Sequence, residues 1–88
     1  MKLRDGILIS KAEDVYYLVD TGNVENRFNG MVKLNATGAF VCEKLKEDTN
    51  IDDIVKAMLK EYNVFEDVAK SDVKKLTDKL TEIGFIID

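Results

Sequence analysis

The apolar residues change their period at Asn35, and that change limits the folds open to this chain more than any other feature. Before it they fall in short runs of branched and aromatic residues: GILIS (Gly6–Ser10), VYYLVD (Val15–Asp20) and MVKL (Met31–Leu34). Such runs suit pleated, half-buried strands. After it they recur three and four residues apart. Ile51, Ile54, Val55, Met58, Leu59 and Tyr62 form one stripe, the mark of an amphipathic helix. The order predicts an α+β fold, with a small antiparallel sheet of three strands followed by three helices packed on one of its faces.

Turn and cap chemistry supports the division. The polar KAED (Lys11–Asp14) predicts a hairpin connection, TGN after Asp20 a second turn, and Asn29-Gly30 a third that suits positive φ. VENRF (Val24–Phe28) reads as either a weak strand or an extended loop. In MVKL, Met31 and Lys33 point one way, Val32 and Leu34 the other. Asn35 is suited to cap a first helix from Ala36 to about Lys46 that buries Ala36, Ala39, Phe40, Val41 and Leu45. Thr49 or Asn50 caps the second helix, with Asp52 and Asp53 in the first turn where the helix dipole favours acids. The third begins near Phe65-Glu66-Asp67, with Phe65, Val68, Ala69, Val73, Leu76, Leu80 and Ile83 as its stripe and Gly84 as the residue that ends it. FIID then closes the chain, as a short strand or as a hydrophobic clasp.

The 88 residues fit a single domain over residues 1–88. With no His and one Cys, the chain has neither Ser-His-Asp nor Cys-His nucleophile systems, nor a thiolate zinc set. It has no glycine-rich phosphate cradle. The acidic pairs Glu13-Asp14, Asp52-Asp53 and Glu66-Asp67 sit at turns and helix starts, where capping explains them. Cys42 reads as a small buried hydrophobe. The expectation is a protein that is not an enzyme and holds neither metal nor cofactor. A net charge of −4 disfavours nucleic acid as a partner. Lys70, Lys74, Lys75 and Lys79 share the third helix with Glu66, Asp67, Asp72, Asp78 and Glu82, as a solvated mixed face does. No apolar run approaches membrane-spanning length, and the expected location is the cytoplasm.

Binding remains, and the residues resemble a family that binds. FNGMVKLNATGAFVCEKL (Phe28–Leu45) is similar to the signature of the PqqD-like family, coenzyme PQQ synthesis protein D and its relatives, also called RiPP recognition elements. MKLRDGILI, YYLVDTG, LKEDTNIDDIVKAMLKEYNV and SDVKKLTDKLTEIGFI extend the resemblance over the chain. It implies a three-stranded sheet followed by a winged-helix-like unit. It also implies a stand-alone chaperone that binds the leader segment of a ribosomally made precursor peptide. The leader would add as a strand beside the third strand, rest on the third helix, and so reach a modifying enzyme, frequently a radical S-adenosylmethionine enzyme. Carried over, the strand contacts are Met31, Val32, Lys33 and Leu34, and the helix contacts Val68, Asp72, Val73, Lys75 and Leu76. The chain departs from the family at Cys42, where relatives often have a bulky aromatic, and in NVENRF, which lengthens the approach to the third strand. Two other readings stay open: a winged-helix DNA-binding regulator, and a dimerisation module pairing through the same strand edge. The oligomer expected is a monomer or a weak homodimer.

Overall fold

The computed structural model describes residues 1–22 and 31–87. Four strands precede three helices: β1 (Lys2–Leu3), β2 (Ile7–Ala12), β3 (Val15–Asp20), β4 (Met31–Leu34), α1 (Ala36–Lys44), α2 (Ile51–Glu61) and α3 (Glu66–Glu82). A last strand, β5 (Ile86–Ile87), follows. β2, β3 and β4 make an antiparallel sheet in that order. The predicted α+β class is what the structure shows.

Hairpin β2–β3 turns on two residues only, Glu13 and Asp14, because β2 continues through Lys11 and Ala12. Glu13 takes the positive φ, 57°, that so tight a turn demands. The sheet's inner face is set by alternation. Ile9, Leu18 and Val32 lie opposite one another across the three strands. Leu18 and Val32 are buried, with Leu34 and Ile7 beside them. The readings placed on VENRF and Asn29-Gly30 lie outside the described residues.

Helix ends follow their caps. The Asn35 side chain accepts from the Gly38 N–H at 2.7 Å and starts α1; Asn50 does the same for Asp53 at 2.8 Å and starts α2. α1 stops at Lys44, two residues earlier than its sequence suggests, as the Leu45 N–H bonds back to Val41 and Cys42. Ala36 is exposed rather than buried, since the first residue of a capped helix leaves the core before the helix face is established. α3 ends in a Schellman motif. The Gly84 N–H bonds to the Thr81 carbonyl at 3.1 Å and the Phe85 N–H to that of Leu80 at 2.8 Å, with Gly84 at φ 85°.

Both readings of the final residues hold. Among the described residues Phe85 is the largest fully buried side chain, and Ile86–Ile87 pairs with Lys2–Leu3, a ribbon the sequence patterns did not predict. The Arg4 guanidinium locks this end to the sheet, donating to the Asp20 carboxylate at 2.7 Å and the Gly84 carbonyl at 3.0 Å. Core and exposed residues on α3 also differ from the expected stripe. Ala69, Val73, Thr77 and Leu80 are buried, while Phe65 is 80% exposed and Val68 46%. Phe65 is the N-cap residue, so its side chain departs before the first turn. Thr77 joins the core because its hydroxyl donates to the Lys74 carbonyl within the same helix.

Candidate functional site

Among the described residues β4 stands at the end of the strand order, next to β3 on one side. Which of its backbone groups face outward follows from the register. The Thr21 N–H donates to the Gly6 carbonyl at 2.8 Å, so this residue of the β3 line directs its main chain toward the β2 line. Main-chain direction alternates along an antiparallel strand, so Val19 and Tyr17 also face β2, and Leu18 and Tyr16 face β4. Leu18 lies opposite Val32, and Tyr16 opposite Leu34. Val32 and Leu34 therefore bond to β3, whereas the N–H and C=O of Met31 and Lys33 are directed away from the sheet. Side chains alternate in step: Val32 and Leu34 are buried, Met31 and Lys33 exposed.

Beside this edge runs an open groove of about 360 Å³. Lys33 and Leu34 of β4 and the start of α1, at Asn35, Thr37 and Gly38, form one wall. Asp72, Lys75, Leu76 and Lys79 of α3 form the other, and Val41 and Met58 also line it. Gly38 lets the start of α1 close against the end of β4 within that first wall: a Cβ there would lie 3.1 Å from Asn35 Oδ1 and 3.5 Å from Leu34 Cδ2. The groove is thus apolar along its base and carries three lysines and one aspartate at its rims.

Of the residues singled out from sequence, Lys33, Leu34, Asp72, Lys75 and Leu76 come together in the groove. Val32 sits on the same strand with its side chain in the core, and Met31 is exposed on the same face as Lys33 but does not line the groove. Val68 lies on the helical row that continues through Asp72, Lys75 and Lys79, but beyond the groove's end. Val73 is fully buried, so its side chain belongs to the core. Lys79, Thr37, Gly38, Val41 and Met58 were not singled out. For Lys79 the signal was present, since it follows Lys75 by four residues on one helical face.

Nothing in the groove suggests acid–base or nucleophilic chemistry. Cys42 is fully buried away from it, and burial, with the Glu43 charge adding to it, pushes its thiol up to about 12. Among the described residues no group of three or more His, Cys, Asp or Glu is placed to hold a metal ion. Nor is any helix there long and apolar enough to cross a membrane.

A strand beside a groove, on a small antiparallel sheet followed by three helices, defines the class of fold. Residues 13–86 match the family of coenzyme PQQ synthesis protein D (PqqD), and the chain belongs to that family. None of the curated proteins matches the sequence. Two solved structures share the fold. One is TbiB1 in complex with the TbiA(beta) leader peptide, 22% identical over the whole of both chains with a TM-score of 0.75. The other is lasso peptide synthetase B1 complexed with its leader peptide, 24% identical over 99% of this chain and 96% of that one, with a TM-score of 0.74.

Proposed function

We propose that this protein binds the leader segment of a ribosomally made precursor peptide as an added strand on β4, and presents it to a modifying enzyme. One observation carries the reading: the outward-directed N–H and C=O of Lys33 belong to a residue that lines the groove against α3. A peptide paired at that edge gains main-chain hydrogen bonds from β4 and lays alternate side chains along α3. The two structural neighbours, each determined in complex with a leader peptide, support a leader segment as the ligand.

In this reading Lys33 supplies the pairing edge with Met31 next along the strand, and Val32 and Leu34 anchor the strand from behind. Asp72, Lys75 and Leu76 meet the ligand's side chains, and Val68 extends their row. Val73 holds α3 in place from within. The protein contributes no chemistry of its own. The enzyme it serves is a radical S-adenosylmethionine enzyme, a partner that family membership supports, and the complex is cytoplasmic. A DNA-reading role for α3 is disfavoured by its ion pairs, because Lys70 and Lys74 are engaged by Glu66 and Asp78.

The test is to recover small peptides bound to the tagged protein in its native cell extract, identify them by mass spectrometry, and titrate them back into isotope-labelled protein. A leader ligand should slow exchange of the Lys33 amide more than that of any other residue near the groove. An unaltered Lys33 amide in the presence of a bound peptide would rule out strand addition.

A further inference from the structure

The lysines of α3 fall into two sets. Lys70 and Lys74 reach along the helix to Glu66 and Asp78, at 3.5 and 3.0 Å. Lys75 and Lys79 line the groove and have no ion-pair partner among the described residues. Lys33 lines the same groove from β4, also without one among the described residues. Among the described residues the only acid on the rim is Asp72. A chain of net charge −4 therefore gathers three lysines that have no ion pair among the described residues against one carboxylate along this groove. Lys75 and Lys79 are one turn apart, a spacing at which like charges weaken a helix unless an anion lies near them.

We infer that the groove takes an acidic peptide: a segment added to β4 that turns Glu or Asp side chains toward Lys75 and Lys79. The inference rests on the peptide-binding reading above and specifies the chemistry of its ligand. Charge complementarity selects the partner, since a basic segment would meet three cations, and a neutral one would leave them uncompensated. The lysines are exposed, so each pairing changes affinity modestly, about two- to fivefold at low salt. The preference should fade as ionic strength rises and the Debye length falls below about 10 Å.

The experiment is to pan a displayed library of random peptides, about 12 residues long so that they can span one strand pairing, against the folded protein. Wild type, K75E/K79E, K33P and a control with the same charge change on α2, K56E/K60E, are compared. The expected result is a wild-type pool enriched in Glu and Asp, a K75E/K79E pool turned toward Lys and Arg, and a K56E/K60E pool that stays acidic. A pool that K33P loses but that shows no acidic bias would overturn the acid preference and leave strand addition standing. So would an acidic bias that K75E/K79E shares with wild type. If wild type enriches no peptides, or K33P retains the same pool, strand addition itself fails, and the acid preference fails with it.

Discussion

Proline placed at two adjacent positions of β4 should have opposite consequences. At Val32 the N–H is directed at β3, opposite Leu18, which is fully buried. Val32→Pro removes that ladder bond and leaves a carbonyl of Leu18 without its donor, a cost of about 1–3 kcal/mol. Misfit of the ring in a core position adds about 1 kcal/mol or more. At Lys33 the N–H is directed outward, and edge positions of that kind accept Pro. The preceding residue is already extended, as the residue before Pro prefers to be. Lys33→Pro should therefore cost about 1 kcal/mol or less. For a domain this size each kcal/mol moves Tm by about 4–8 °C. Thermal and urea unfolding should place Val32→Pro some 10–25 °C below wild type and Lys33→Pro within about 8 °C of it. Peptide binding should be lost in Lys33→Pro by about fivefold or more, the worth of one main-chain hydrogen bond and the space for its partner. If Lys33→Pro unfolds the protein as severely as Val32→Pro, the assignment of inward and outward residues along β4 is wrong.

Three further outcomes can be checked with the same unfolding assays. Phe85→Ala should cost about 3–5 kcal/mol because the ring is fully enclosed, whereas Phe65→Ala should stay within about 0.5 kcal/mol of wild type. Asn35→Ala should destabilise by about 1 kcal/mol by removing the cap on the Gly38 N–H, with circular dichroism showing the loss at α1 if helix content falls. The Cys42 thiol, raised from 9.0 to about 12 in the folded protein, ionises first in the unfolded chain as pH rises. The unfolded state then holds fewer protons, so stability should fall above pH 9 by up to about 1.4 kcal/mol per unit. Urea titrations at pH 8 and pH 10 should show that extra loss in wild type and not in Cys42→Ala.

Most of the fold was legible because its signals are local. Asn35, Asn50 and Gly84 sit at helix ends where their side chains or backbone freedom have a specific use, and α2 carries a single uninterrupted stripe. β1 was missed, and β5 was read only as one of two alternatives for FIID, for the opposite reason. Each is two residues long, and they pair across nearly the whole chain, so no period can announce them. Phe65 and Val68 misled because a helical stripe read from spacing does not say where the first turn begins. Thr77 was overlooked because its hydroxyl, satisfied within α3, lets a polar residue pass for an apolar one. In the site, Lys33, Asp72, Lys75 and Leu76 came from resemblance, and the structure brings them to one groove. Val73 could not be separated from them by sequence, since adjacent rows of one helix differ only in which neighbour they meet. Lys79 belonged to the same row and needed only the count of four.

The division of β4 between anchoring and edge residues constrains how this segment can change over time. Residues of even number hold the strand to β3 and to the core, and those of odd number face outward with both main chain and side chain. A substitution at Met31 or Lys33 leaves the anchors where they are. Inserting or deleting one residue between them exchanges the two sets, burying a lysine and exposing Leu34 and Val32. The strand is therefore free to drift in composition but not in length, and relatives that recognise different ligands should differ here by replacement rather than by insertion.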